Sequence, residues 1–211
     1  MKLYSFFRSS ASFRLRIALN LKGLSYEYAA IGLRGAQNSD SYRRINPQQL
    51  VPALDDGGRV LIQSMAIIEY LEETHPLPPL LPATPVERAR VRGLAQIVAC
   101  EIHPLNNLRV LNYLAKELGQ SEELRNRWYR HWVALGLEAM EALLDDPASG
   151  RFCHGDQPTL ADICLVPQLY NARRYECDLT PYPRLLAVEA ACRELAAFEQ
   201  ARPEKQPDAS S

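Results

Sequence analysis

Residues 8 to 12 read Arg8-Ser9-Ser10-Ala11-Ser12, placing one guanidinium and three hydroxyls in five positions. The segment stands between a run that reads as a strand, 2–6, and one that reads as a helix, 12–22. In an open α/β sheet, ligands bind outside the carboxyl ends of the strands. The amides and dipole of a helix start favour an anion there, and serine hydroxyls add donors that turn to suit. A thiol of ordinary pKa, about 8.5, held at such a point would ionise near neutral pH. The segment has no cysteine, so either it binds an oxygen anion or the thiol arrives on a ligand. Ser9, Ser10 or Ser12 can equally cap the helix, and three hydroxyls leave room for both tasks.

Two further segments carry candidate chemistry. Val51-Pro52 precedes a short strand. With a cis bond, an exposed Val51 backbone can pair with a peptide-like ligand in β fashion; with a trans bond, the proline simply starts an edge strand. Gln63-Ser64 closes one strand and opens a helix, where a carboxylate can be held by the helix start, the Gln63 amide and the Ser64 hydroxyl. Ser64 can also be a plain N-cap. By contrast, Thr159-Leu160-Ala161-Asp162 has capping-box form and reads as a folding element, with Asp162 a buried carboxylate satisfied by backbone amides. The four histidines, His75, His103, His131 and His154, have no ligand spacing, so no metal is expected.

These residues need elements to position them. Strand 2–6, helix 12–22 capped by Gly23, and strand 26–31 form a βαβ unit with parallel strands. A polar loop, 32–40, and a short helix, 40–45, follow; the helix stops at Asn46-Pro47. Strands at 51–55 and 59–63, joined by Asp56-Gly57-Gly58, make a hairpin. A helix then runs from Ser64 to just before His75-Pro76. Four prolines in the nine residues 77–85 read as a stiff linker. Beyond it, 87–102, 106–118, 122–144, 160–174 and 183–201 carry helical spacing. The fold class is therefore α/β plus all-α: a βαβ-α-ββα domain over 1–76, a linker over 77–86, and a helical bundle over 87–211. The tail after Pro203 is polar and expected to fray.

Composition narrows the function classes. A net charge of -1 gives no broad pull toward nucleic acid or anionic membrane. No apolar run reaches the roughly 18 residues of a membrane span, and residues 1–7 do not read as a signal peptide; the cytoplasm is the expected location. Five cysteines, an odd number without C-x-x-C spacing, fit a reducing compartment. Each is expected to be a small buried apolar residue.

Together these segments resemble the glutathione transferase superfamily, and in detail its zeta class, which includes maleylpyruvate and maleylacetoacetate isomerases. The resemblance rests on Ser9-Ser10-Ala11-Ser12-Phe13-Arg14-Leu15-Arg16-Ile17-Ala18-Leu19, Asn46-Pro47-Gln48, Val51-Pro52-Ala53-Leu54 and the stretch Gln63 to Glu73. In the second half it rests on Ile102-His103-Pro104-Leu105, Asn107, Gly155-Asp156, Thr159 to Asp162 and Asp178-Leu179-Thr180-Pro181-Tyr182-Pro183. It covers nearly the whole chain. The family signature has a cysteine where this chain has Ala11, so that thiol is not required if the protein is active.

The resemblance implies a thioredoxin-like first domain, bound glutathione and a homodimer. It also implies cis-trans isomerisation of a maleyl keto diacid, by reversible addition of a thiolate, in aromatic compound catabolism. Ser9 or Ser10 would face the glutathione sulfur. Gln37, Gln49, Val51, Gln63, Ser64, His103 and Asn107 would contact glutathione. Arg8 would serve the developing enolate, and Arg109 and Arg174 the substrate carboxylates, for which the planar guanidinium fork suits both oxygens. Arg173 and Arg174 lie about 100° apart on a helix, so only one of them should serve. His103 would shuttle a proton or donate to glutathione, unless it is simply a satisfied histidine beside Pro104. The competing activity is a general transferase that conjugates small electrophiles such as α-haloacids and consumes glutathione. The fold alone would also permit a non-enzymatic binding module.

Overall fold

The computed structural model describes residues 1–32, 37 and 39–209. The chain divides into two compact units, Met1–Leu80 with Arg193–Ser211, and Leu81–Cys192.

The first unit is built on a four-stranded sheet of order β2-β1-β3-β4. β1 (Lys2–Ser5) pairs in parallel with β2 (Glu27–Ala30), and the crossover between them is α1 (Ser10–Leu21). β3 (Ala53–Asp56) runs antiparallel to β1 and forms a hairpin with β4 (Arg59–Ile62). Gly57 and Gly58, at φ 61° and 87°, make the turn, a backbone region open to glycine without strain. α2 (Asp40–Ile45) precedes the hairpin and α3 (Ser64–Thr74) follows it. Leu3, Leu15, Ile17, Leu19, Leu54, Ile67 and Leu71 are wholly buried and form the core. Of the expected loop over 32–40, residues 33–36 and 38 lie outside the described residues.

The C-terminal segment belongs to this unit, a correction to the expected bundle over 87–211. The helix expected over 183–201 is two helices, α8 (Pro183–Arg193) and α9 (Ala196–Ala201), separated at Glu194–Leu195. No glycine or proline marks the break, so helical spacing reads through it. α9 packs on α1, which is why α1 buries Arg14 and Arg16 along with its apolar residues. Nor does the tail fray. Pro203–Lys205 forms a 3-10 turn, and the buried Gln206 side chain donates to the carbonyls of Gln200 at 2.9 Å and Arg202 at 2.8 Å. Asp208, also buried, is bonded to Phe7 and Tyr28.

The start of the linker is pinned at Pro78 and Leu80, although residues 77–79 and 83–86 are exposed. Buried Lys22 donates from Nζ to Glu72 at 2.8 Å and to the carbonyls of His75 and Pro78, while Leu80 N–H reaches Glu72 at 3.0 Å.

The second unit is helical. α4 (Pro85–Gln96) starts from a capping box of Thr84 with Glu87 and runs into a π-helical turn over Ile97–Ile102. α5 (Leu108–Lys116), α6 (Glu122–Leu143) and α7 (Leu160–Arg174) complete it with α8. A Cβ on Gly136 would lie 2.3 Å from Ile102, so glycine lets α6 approach the π-helical turn. Thr159 and Asp162 form the expected capping box. The Asp162 carboxylate is fully buried and accepts the amides of Cys153 at 2.8 Å and Thr159 at 2.7 Å. Burial pushes its pKa up against these hydrogen bonds, which pull it down.

All five cysteines are free thiols. Cys153, Cys164 and Cys192 are buried and Cys177 is half-buried, but Cys100 is exposed, against expectation. Among the described residues no helix is long and apolar enough to cross a membrane.

Candidate functional site

Apart from Gln37, the first-unit candidates stand at the starts of α1 and α3 and before β3. Ser9 is the N-cap of α1, so the helix begins two residues earlier than its spacing suggests. Its amide donates to the Phe6 carbonyl at 3.0 Å, its carbonyl accepts the Phe13 amide at 2.8 Å, and its Oγ accepts the Ser12 amide at 3.2 Å. Accepting through oxygen leaves the Ser9 hydroxyl proton to be donated elsewhere. Capping and ligand binding are thus compatible in one residue. Ser10, the first helical residue, is 3% exposed, against a half-buried Ser9. The Ser12 hydroxyl is buried and has no hydrogen-bond partner among the described residues. Amides in the first turn of a helix have no acceptor within it. Arg8 stacks its guanidinium 5.0 Å from the Phe7 ring centroid and 5.8 Å from that of Phe6.

The segment before β3 is fixed by its own hydrogen bonds. The Leu50 carbonyl accepts from the Tyr42 hydroxyl and from Asn46 Nδ2, each at 2.7 Å. The Asn46 carbonyl accepts the Gln49 amide and its Oδ1 the Gln48 amide. Gln49 sits at φ 57°. The Val51-Pro52 bond is cis, and the ladders of β3 begin only at Ala53, which leaves the Val51 backbone outside the paired register.

Gln63, and not Ser64, is the N-cap of α3. Gln63 holds φ 70°, a left-handed conformation that costs a non-glycine residue about 1–3 kcal/mol. No side chain caps the helix; Ser64 is its first residue and is 6% exposed. The exposed Gln63 side chain instead donates from Nε2 to Gln48 Oε1 at 2.7 Å. Gln48, absent from the candidates, therefore ties the loop before β3 to the start of α3. Gln37 donates its amide to the Gly32 carbonyl at 3.3 Å.

In the second unit, His103 caps the π-helical turn, its amide reaching back five residues to Val98 at 2.9 Å. Asn107 is the N-cap of α5; its Oδ1 accepts the Arg109 amide at 3.1 Å, which leaves its Nδ2 donor for another partner. The Trp128 indole holds the intervening turn through the Leu105 carbonyl at 2.9 Å. Arg109 is exposed on the first turn of α5.

Arg173 and Arg174, adjacent at the end of α7, differ sharply. Arg173 forms a bidentate pair with Glu189, at 2.6 and 2.5 Å. Arg174 instead bonds Asn171 Oδ1 at 3.2 Å and lies over the Tyr175 ring, 5.9 Å from its centroid, with no carboxylate paired to it among the described residues.

The donor set of the first unit fits a tripeptide thiol. A hydroxyl at a helix start suits a thiolate, the backbone at Val51 suits a peptide, and a second helix start with Gln63 and Ser64 suits a carboxylate. The glutathione S-transferase N-terminal domain model matches residues 3–79, and the C-terminal domain model matches residues 126–191. The chain belongs to the glutathione transferase family. It is 57% identical, over 100% of both chains, to a maleylpyruvate isomerase of Ralstonia sp.. A solved holo structure of maleylpyruvate isomerase, a bacterial glutathione S-transferase of the zeta class, superposes with a TM-score of 0.97 at 58% identity, covering 99% of each chain. The maleylacetoacetate isomerase of Methylobacterium extorquens AM1, solved with bound malonate and glutathione, gives 0.95 at 41% identity and 98% coverage of each chain.

In this transferase sequence reasoning missed Gln48, which bonds a candidate directly, and Arg16, which lies behind the candidates. Arg16 is wholly buried and donates to Ser5 Oγ and to the carbonyls of Phe6, Phe7 and Ala201. Its only signal was its place in the family signature.

Proposed function

We propose that the protein is a glutathione-dependent cis-trans isomerase acting on a maleyl keto diacid, maleylpyruvate or maleylacetoacetate, in aromatic compound catabolism. The observation that carries this reading is the full-length 57% identity to a maleylpyruvate isomerase, supported by the intact set of helix starts, Val51 backbone and Gln63-Ser64 in the first unit. When bound, glutathione supplies a thiolate that adds reversibly to the conjugated cis alkene, permits rotation and is returned.

The chain's own residues supply the rest. Ser9 donates a hydrogen bond from its hydroxyl to the thiolate sulfur, because its oxygen is already engaged with Ser12 and the residue is more exposed than Ser10. The α1 dipole lowers the thiol pKa further. Val51 offers its backbone to the cysteinyl peptide, while Gln63 and Ser64 take the γ-glutamyl carboxylate. Gln37, Gln49, His103 and Asn107 add glutathione contacts. Arg8 provides fixed positive potential where the enolate develops. Arg174 and Arg109 bind the substrate carboxylates; Arg174 is favoured over Arg173 because Glu189 already occupies the latter.

Ala11 in place of the family's cysteine removes a thiol that would otherwise compete in the site. The protein acts in the cytoplasm as a homodimer, for which a solution mass near twice 23.8 kDa is expected and a monomer mass would refute it. The test of the activity is a glutathione-dependent ultraviolet assay with an end-point thiol count. An isomerase returns the thiol, whereas a transferase conjugating α-haloacids or similar electrophiles consumes it.

A further inference from the structure

The loop that carries Arg8 and Ser9 is held from below by residues remote in sequence. Phe7 is gripped at both ends. Its carbonyl accepts Arg16 Nη2 at 2.9 Å, and its amide donates to Asp208 Oδ2 at 3.1 Å, across 201 residues of chain. The other carboxylate oxygen, Oδ1, accepts the Tyr28 hydroxyl at 2.7 Å at the back of β2. Asp208 is 8% exposed, so both bonds are sheltered and charge-assisted. Phe6, beside Phe7, accepts the Ser9 amide and so sets the turn that delivers the Ser9 hydroxyl. Gln206 folds the tail onto α9 through Gln200 and Arg202, and both of these bonds lie away from Phe7 in sequence and in partner.

We propose that Asp208 is a positioning residue for Ser9: anchored on Tyr28, its carboxylate fixes the Phe7 peptide and so the turn that aims the Ser9 hydroxyl at the thiol. The inference rests on the reading of Ser9 as the thiol-binding group. It assigns the C-terminal tail a part in catalysis that its polar composition does not suggest. Misplacement of a reacting group by about 1 Å can cost on the order of a hundredfold in rate, so a modest release of this turn is measurable.

The test compares Asp208→Ala and Asp208→Asn with Gln206→Ala, which loosens the tail but leaves Phe7 untouched. Amide hydrogen exchange over residues 7–12, measured without glutathione, reads the loop. The ultraviolet absorbance of bound thiolate against pH, with kcat and KM for the diacid, reads the chemistry. Asp208→Ala should accelerate exchange at Phe7 and Ser9, raise the pH at which bound glutathione ionises, and lower kcat about tenfold with KM for the diacid within about twofold. Asp208→Asn, which keeps one acceptor, should fall between it and the wild type, and it carries the comparison if the alanine variant does not fold. Gln206→Ala should lower the melting temperature alone. The proposal is overturned if exchange at Phe7 and Ser9 is unchanged in the Asp208 variants. It is also overturned if Gln206→Ala, at equal loss of melting temperature, shifts kcat and thiol ionisation as much. A wild-type protein that binds no glutathione would contradict the proposed function instead, while the exchange comparison would still decide whether Asp208 fixes the loop.

Discussion

Arg16 Nε donates to the Ala201 carbonyl at 2.9 Å, joining the middle of α1 to the end of α9 across 185 residues of sequence. The same guanidinium holds the Phe6 and Phe7 carbonyls. A buried charge is tolerated only when its donors are satisfied, and here the acceptors are the backbone of the loop before Ser9 and the C-terminal helix. The part of the chain that closes the first unit is therefore also part of the support of its site.

Ser9→Ala and Ser10→Ala separate the two candidate hydroxyls. Ser9→Ala should raise the pH at which bound glutathione ionises and, through loss of the N-cap, reduce stability by about 1 kcal/mol. Ser10→Ala should leave the ionisation near its wild-type position. Absorbance of the bound thiolate against pH measures the first effect and urea unfolding the second. The opposite pattern would move the role to Ser10.

Arg174→Ala should raise KM for the diacid about tenfold, and Arg8→Ala should lower kcat about tenfold, while glutathione affinity largely survives in both. Arg173→Ala should leave KM unchanged and instead cost about 1–2 kcal/mol of stability, since it abandons Glu189, which is only 6% exposed. Steady-state kinetics and urea midpoints on the three variants check this. Loss of glutathione affinity in both Arg8→Ala and Arg174→Ala would contradict the assignment.

Lys22→Met should destabilise the protein by about 3 kcal/mol, because it leaves the largely buried Glu72 carboxylate without its cation and two carbonyls without their donor. Adding Glu72→Gln, which keeps an acceptor for the Leu80 amide, should recover part of the loss. Equilibrium unfolding of single and double variants measures the coupling.

Stability should fall in mild alkali. Burial pushes the Tyr42 phenol up to about 12 and raises Tyr28 and Tyr129 further. The fold thus prefers the neutral phenols. Their contribution is complete below the unfolded-state value of about 10 and is lost as pH rises from there through the folded-state values. Urea midpoints at pH 8 to 11 should fall above pH 10, less steeply in Tyr42→Phe. A flat profile would contradict the effect.

Much of this architecture was legible in sequence. The βαβ unit, the hairpin and α2 follow from periodicity and from Gly23, Gly57 and Pro47, because local turn chemistry fixes their ends. The capping box at Thr159 and Asp162 is likewise a local pattern. What was not legible depends on distant contacts. The break at Glu194–Leu195 carries no breaker residue, and the polar tail is held by Gln206 on α9 and by Asp208 on Tyr28 and Phe7. The exposed position of Cys100, and the pairing of Glu189 with Arg173 and not with Arg174, also depend on tertiary neighbours. Of the candidate site, the sequence places residues 8–12, 51 and 63–64 at helix and strand starts, and local turn chemistry is enough for that. The Gln48–Gln63 bond and the Arg16 support required the folded backbone.

The most direct test of the central claim is the isomerisation assay on maleylpyruvate and maleylacetoacetate side by side, with catalytic glutathione and a final thiol count. The account predicts conversion of at least one cis diacid to its fumaryl isomer, absent without glutathione, with the thiol fully recovered. The two substrates differ by one methylene, so the preference between them should be about 10–200-fold in kcat/KM. Stoichiometric loss of thiol, or bound glutathione with no isomerisation of either diacid, would contradict it.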